Sequence, residues 1–270
     1  MIANPSWLGL LTRISRMAQR WLIEWWRLAH LGAVLIVLTL SPSSYSRESR
    51  LALGRHIYLN TAPILLGFSV LCALVTVVLT RIVLVTALSY GLSQYALQVV
   101  IRVLVLELIP LTSALFVAMR CTIPDGAELM AMQASGELDD MRSQGIDPVR
   151  CEVLPRVVAG MFAGITLAAL SCVVAVVVAY VAAYGFSVSG AAAYTRLFGQ
   201  VFSPAVTLIF LLKTFFFSLA VSLIPMASAL YGLPGRFRTS VRTSAEMRGL
   251  VRLFAVILLI EIASLVGNYY

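Results

Sequence analysis

Long runs of apolar residues, interrupted by few charges, dominate the hydrophobic pattern of this chain. A helix of about 20 residues rises 1.5 Å per residue and therefore spans a hydrocarbon core of about 30 Å. On this criterion the pattern predicts an all-α, polytopic membrane protein. It has five predicted transmembrane helices, at about residues 57–80, 96–119, 157–183, 204–230 and 251–268.

The first 45 residues show a different pattern, with an apolar stripe beside a basic one. The apolar stripe comprises Trp7, Leu10, Ile14, Met17, Trp21, Trp25 and Leu28, and the neighbouring stripe comprises Arg13, Arg16, Arg20, Glu24 and Arg27. This pattern predicts an amphipathic helix in the membrane interface, and the alternative is a soluble helix packed on a partner protein. The apolar run at 31–40 is too short to cross a membrane unaided, so we interpret it as a dipping segment.

Composition and charge fix the expected orientation. The chain is 60% hydrophobic and 12% charged, which excludes a typical soluble domain. We interpret the formal net charge of +8 as the arginine excess of cytoplasmic loops and not as a nucleic-acid-binding surface. With a cytoplasmic N-terminus and an external C-terminus, most of the 20 basic residues lie inside. The exceptions are Arg81, Arg102, Arg196 and Lys213.

No pattern typical of an enzyme or a metal protein occurs in the sequence. The four cysteines form no CxxC pair, and neither histidine stands near them, so no metal site or cofactor is expected. Lys213 follows apolar residues instead of the glycines of a phosphate-binding loop. Any ATP hydrolysis must therefore come from another chain.

Residues 124–150 form the longest cytoplasmic excursion after the N-terminal arm. Pro124 is compatible with a helix start, Gly145 with a helix end, and Asp147-Pro148 with a sharp turn. These signals predict one short helix over about 124–144. A solvated acidic loop is the alternative.

Four ionisable residues lie within the predicted spans: Arg102, Glu107, Lys213 and Glu261. An ionisable residue at membrane depth costs at least about 2.5–3.5 kcal/mol, so it is expected to face a partner or a watery cavity. We predict that Lys213 pairs with Glu107 or Glu261, all three being in the outer half of the membrane. In an α-helix Arg102 and Glu107 would point about 140° apart, so Arg102 is expected to snorkel or to face an anionic group. The alternative is an ion-pair cluster that only fixes helix packing.

Three segments follow one another at close spacing: ELIPLTSALFVAMR (107–120), GAELMAM (126–132) and ELDDMRSQGIDPVRCEVLPRVVAG (137–160). They resemble the successive E-L-G-P, A-G-R, A-E-L-x-x-M and G-[VI]-D-P-x-R patterns of the MlaE/YrbE family of lipid-transporting ABC permeases. LLKTFFF (211–217) and AVILLIEI (255–262) resemble its fourth and last spans. Residues 46–270 are therefore identified as an MlaE-like permease domain.

The resemblance implies a homodimeric permease of the bacterial inner membrane that moves lipids, with phospholipids expected. A periplasmic MCE protein and a cytoplasmic ABC ATPase would be its partners, and the ATPase would bind the ATP. Arg102, Glu107, Lys213 and Glu261 would line the lipid cavity. The 124–144 helix would couple to the ATPase through Glu128, Met132, Leu138, Asp139, Gly145, Asp147 and Pro148.

The sequence also departs from the family pattern. Leu106 and Ile109 stand where arginine and glycine are expected, and Met119 replaces a glycine. Arg102, one helical turn earlier, is a candidate for the missing charge. The departures leave open a second function, a membrane scaffold that binds the same partners without transporting lipid.

Overall fold

The computed structural model describes residues 6–41, 47–91, 93–231 and 239–269, and this part of the chain is helical without any β-strand. The helices are α1 Ser6–Leu40, α2 Arg47–Ser89, α3 Ser93–Ile101, α4 Ile109–Val117, α5 Ile123–Ser135, α6 Glu137–Ser143, α7 Leu154–Tyr184, α8 Ala191–Val201, α9 Pro204–Tyr231 and α10 Thr239–Tyr269. The predicted all-α polytopic membrane fold is confirmed.

Six helical stretches of the described chain are long and apolar enough to cross a membrane: Trp21–Leu40, Leu53–Ser89, Tyr95–Ser135, Val149–Tyr184, Pro204–Tyr231 and Gly249–Asn268. Each of the five predicted spans lies within one of the last five stretches. The first stretch is additional, because the apolar run at 31–40 continues without a break from the helix before it.

Helix α1 covers both the predicted interfacial helix and the predicted dipping segment. Its buried residues Leu28, Leu31, Leu35 and Leu38 recur every three or four positions, so one face packs into the protein, against α9 and α7. An ion pair between Glu24 and Arg252 also joins α1 to α10. The predicted stripes are only partly within the described side chains, which exclude those of Trp7, Leu10, Arg13, Ile14, Arg16, Met17 and Arg20.

Three π-helical segments, Arg102–Leu108, Ala118–Thr122 and Val149–Val153, each end two residues before a proline. In each, the residue just before the proline donates its N–H to the carbonyl five residues back: Ile109 to Leu104, Ile123 to Ala118, and Leu154 to Val149. Proline has no N–H, and its ring clashes with the carbonyl four residues earlier. The wider π turn accommodates that ring without ending the helix.

The central helices pack closely because small residues line their contacts. Helix α7 packs along α2 and α9, and α9 packs against α10. A Cβ atom on Gly160 would lie 2.7 Å from Ser222 Oγ, and one on Gly164 would lie 2.6 Å from Ser218 Oγ. Both glycines of α7 are therefore needed for its close approach to α9.

The excursion between the second and third predicted spans contains two helices, α5 and α6, so the prediction of one helix over 124–144 is wrong. Gly136 divides them with φ = +87°, a left-handed conformation that glycine adopts without strain. At the end of α6, Gly145 has φ = +76° and donates to Arg142, while Ile146 donates to Met141. This Schellman arrangement ends the helix where glycine was expected to end it. Asp147 Oδ1 then accepts the N–H of Val149 at 3.0 Å and forms the turn.

Candidate functional site

Three helical segments bring Lys213, Glu107 and Glu261 together inside the bundle. Lys213 lies on α9, Glu261 on α10 and Glu107 on the π-helical segment between α3 and α4. Lys213 Nζ forms an ion pair with Glu107 Oε2 and a second one, of 2.9 Å, with Glu261 Oε2. The predicted pairing of Lys213 with a carboxylate is therefore present, and it involves both candidates.

A backbone carbonyl completes the surroundings of the Lys213 ammonium. Lys213 Nζ donates to the carbonyl oxygen of Leu106 at 3.1 Å. Leu106 lies four residues before Pro110, which has no N–H to offer it, so its carbonyl is not used by an α-helical hydrogen bond. The proline that causes the π turn thus also frees an oxygen for the lysine. This third oxygen was not predicted, although Pro110 and its spacing from Leu106 are visible in the sequence.

Within the cluster the lysine side chain is buried and the two carboxylate side chains are slightly more exposed. The side chain of Lys213 is 1% exposed, whereas those of Glu107 and Glu261 are 12% and 16% exposed. Asn268 Nδ2 lies 3.5 Å from the other carboxylate oxygen of Glu107, and the ring of Phe217 lies 5.7 Å from Lys213 Nζ. A molecule that reaches this cluster meets carboxylate oxygens first.

Arg102 opens the π-helical segment that contains Glu107. In π geometry residues five apart are hydrogen-bonded neighbours along one face. The expected separation of about 140° between Arg102 and Glu107 is therefore wrong, because it assumed an α-helix. Arg102 is half-buried, and its Nε has no hydrogen-bond partner among the described residues. The N–H at Nε of Arg102 is therefore available to bind a ligand.

The positions that depart from the family pattern differ in their surroundings. Leu106 and Ile109 are buried in one apolar cluster with Ile101 and Val105. Met119 is 66% exposed. At 106, where the resemblance led us to expect a charge, the chain thus has a packed apolar side chain.

The predicted coupling residues fall into two groups on and after α5 and α6. Leu138 and Pro148 are buried and Met132 is half-buried, so they hold the segment against the rest of the protein. Glu128, Asp139, Gly145 and Asp147 are exposed. The exposed group is acidic apart from its glycine, and it is the part that another protein can reach.

Arg156 joins this segment to α7, and sequence analysis counted it only as an orientation charge. Its side chain is 4% exposed and forms ion pairs with Glu152 and, at 3.6 Å, with Glu128 of α5. Arg156 Nη2 also lies 3.9 Å from Met132 Sδ. The i, i+4 spacing of Glu152 and Arg156 was the available signal. Close by, Asn60 of α2 donates to Asp125 of α5 at 3.0 Å.

The described residues contain no group of three or more His, Cys, Asp or Glu side chains placed to hold a metal ion. The candidate site consists of charged side chains held inside a largely apolar bundle.

Comparison with protein families gives a match that begins after the first candidate span, Trp21–Leu40. The family model described as Permease MlaE matches residues 53–266, which include every member of the Lys213 cluster and the whole of α5 and α6. No curated protein matches the chain.

Proposed function

The chain belongs to the MlaE permease family, and we propose that it is the membrane subunit of an ABC transporter that moves phospholipids. In this proposal it works in the bacterial inner membrane and exchanges lipid with a periplasmic MCE protein. The observation that carries the proposal is the Lys213 cluster, whose charges lie where three helical segments meet within an otherwise apolar bundle.

An amphiphilic cargo explains why such charges are kept. Ionisable residues at membrane depth are costly and usually mark a substrate path. Acyl chains need apolar walls, whereas a headgroup needs a few fixed polar groups. Arg102, Glu107 and Glu261 supply such groups, and Lys213 holds the two carboxylates together.

The acidic surface of α5 and α6 is proposed to receive the cytoplasmic ATPase. Glu128 and Asp139 are exposed there, on helices held by buried Leu129 of α5 and Leu138 of α6. Arg156 connects Glu128 directly to α7, so a displacement of α5 by the ATPase would be passed to a central helix of the bundle. The ATPase supplies ATP binding and hydrolysis, which the chain itself has no motif for.

The remaining assembly follows the same proposal. Two copies form the permease, with the N-terminus in the cytoplasm and the C-terminus in the periplasm. This orientation requires that Trp21–Leu40 stays in the cytoplasmic interface or dips into it, although it is long enough to cross. Labelling of Asn4→Cys and Tyr270→Cys in intact cells, each in a variant whose four own cysteines are replaced by alanine, tests the orientation at both ends.

The function is tested by purifying the tagged protein from bacterial membranes together with the proteins encoded next to it. Mass spectrometry identifies the bound lipids and the partner chains, and ATPase activity is measured with and without added phospholipid. Asp139→Arg should reduce the amount of co-purified ATPase. Arg81→Glu, a charge reversal at an exposed position of α2, is the matched control.

Bound phospholipid, a co-purified ATPase and lipid-stimulated hydrolysis would support the transporter. An intact complex with neither bound lipid nor stimulation would instead support the scaffold function. That second function is favoured by the buried Leu106 and Ile109 at positions where the family pattern differs.

A further inference from the structure

In the charged cluster the carboxylates of Glu107 and Glu261 are partly exposed, whereas the ammonium of Lys213 is buried. Lys213 has a 1% exposed side chain, and three protein oxygens surround its ammonium: Glu107 Oε2, Glu261 Oε2 and the carbonyl of Leu106. An ammonium carries three N–H groups and no acceptor. Two of them donate, to Glu107 Oε2 and to the Leu106 carbonyl, and the burial of the side chain keeps the ammonium away from an anionic ligand.

The side chains of the two carboxylates are 12% and 16% exposed, and they keep acceptor capacity. A carboxylate offers about four lone-pair sites, and Lys213 uses only part of those on Glu107 and Glu261. Two carboxylates against one ammonium also leave one formal negative charge. The accessible atoms of the cluster thus suit a ligand that is cationic and donates hydrogen bonds.

A positive group stands one π turn away on the same helical segment. Arg102 and Glu107 are five residues apart within Arg102–Leu108, the spacing of hydrogen-bonded neighbours in π geometry. The Nε of Arg102 is without a partner in the described structure. Guanidinium groups pair well with phosphate oxygens.

We propose that this site selects phospholipids whose headgroup ends in a primary ammonium. Glu107 and Glu261 receive the ammonium, and Arg102 receives the phosphate. Lys213 is a positioning residue that fixes the carboxylates without contacting the lipid, and Pro110 supports it by freeing the Leu106 carbonyl. This inference rests on the proposed function, since it names the headgroup of the lipid that is carried.

The test compares three headgroups that separate charge from hydrogen-bond donation. The protein, purified with its partners, is mixed with vesicles of equimolar phosphatidylethanolamine, phosphatidylcholine and phosphatidylglycerol of the same acyl composition. Ethanolamine is cationic with N–H donors, choline is cationic without them, and glycerol has donors without the charge. Retained lipid is quantified by mass spectrometry after removal of the vesicles.

The retained amount of phosphatidylethanolamine is expected to be about ten times that of each other lipid. This ratio corresponds to the free energy of one charge-assisted hydrogen bond. Glu261→Gln should bring the retained amounts of the three lipids to within about twofold of one another, and Glu107→Gln should act in the same direction. Glu24→Gln, which alters a carboxylate paired with Arg252 outside the cluster, should keep the preference. Arg102→Gln should lower all three lipids together, unlike Arg196→Gln on the exposed face of α8.

Equal retention of the three lipids by the unaltered protein would overturn the inference, as would a preference for phosphatidylglycerol. A preference that survives in both Glu261→Gln and Glu107→Gln, or one that disappears on adding a chelator, would also overturn it. In each of these cases lipid is still bound, so the proposed transport function stands. If no phospholipid is retained and none stimulates the ATPase, the proposed function itself fails and the headgroup inference fails with it.

Discussion

Replacing Lys213 by methionine removes the ammonium from between Glu107 and Glu261 and keeps a side chain of similar length. The two carboxylates then face each other without a cation, and the carbonyl of Leu106 loses its donor. Removing one partner of a buried ion pair costs about 3–5 kcal/mol. Because Glu107 and Glu261 are 12% and 16% exposed, water screens them little, and we expect Lys213→Met to fall in this range.

Removing the two carboxylates together with the ammonium should restore most of the stability that Lys213→Met alone loses. Replacing a whole buried ion cluster by well-packed apolar residues of similar volume is often neutral, or even stabilising by about 1–4 kcal/mol. The triple variant with Lys213→Met, Glu107→Met and Glu261→Met should therefore recover most of the loss. It should also lose the headgroup preference, because no carboxylate remains to receive an ammonium.

The free energy of unfolding is measured by titrating sodium dodecyl sulfate into mixed micelles and following helical circular dichroism. Arg81→Met, at an exposed position of α2, is the control and should stay within about 0.5 kcal/mol of the unaltered protein. A loss below about 1 kcal/mol for Lys213→Met would refute the reasoning. So would a triple variant no more stable than the single one.

Three further changes test the backbone features. Gly160→Ala brings a Cβ to 2.7 Å from Ser222 Oγ and should cost about 1–3 kcal/mol in the same titration, whereas Gly67→Ala meets nothing within 4 Å and should not destabilise. Pro110→Ala supplies an N–H for the Leu106 carbonyl, so hydrogen exchange at this new amide should be slow; fast exchange would contradict our explanation of the π turn. Gly145→Ala forces alanine to φ = +76°, a cost of about 1–2 kcal/mol, and should reduce ATPase co-purification.

The membrane spans and the pairing of Lys213 could be predicted because each follows from one strong physical constraint. About 20 apolar residues are needed to cross a bilayer, and a charge at that depth needs a partner. Neither constraint depends on details of tertiary packing. Judged by its length alone, the apolar run at 31–40 could not cross a membrane. In the structure it is the end of a longer helix that begins at Ser6 and packs on the protein through its leucines.

What was missed depended on local backbone geometry or on packing. A fixed 100° per residue placed Arg102 and Glu107 on different faces, although Pro110 in the same run indicated that an α-helix would be interrupted. Because helices tolerate glycine, the sequence did not show that Gly136 adopts a left-handed conformation and divides α5 from α6. Arg156 looked like one more cytoplasmic arginine, since only the packing of α5 on the rest of the protein buries it.

The π turns also set the angular positions of the helices they join. Each holds one residue more than an α-helical turn, so the following residues are displaced by about 100° around the axis. Two such turns separate α3 from α5 and together rotate the faces by about 200°. Accordingly, α3 packs against α2 and α8, whereas α5 packs against α9. Deleting one residue from either π turn would shorten the helical stretch between α3 and α5 only slightly. It would nevertheless turn the acidic surface of α5 and α6 to a different side of the protein.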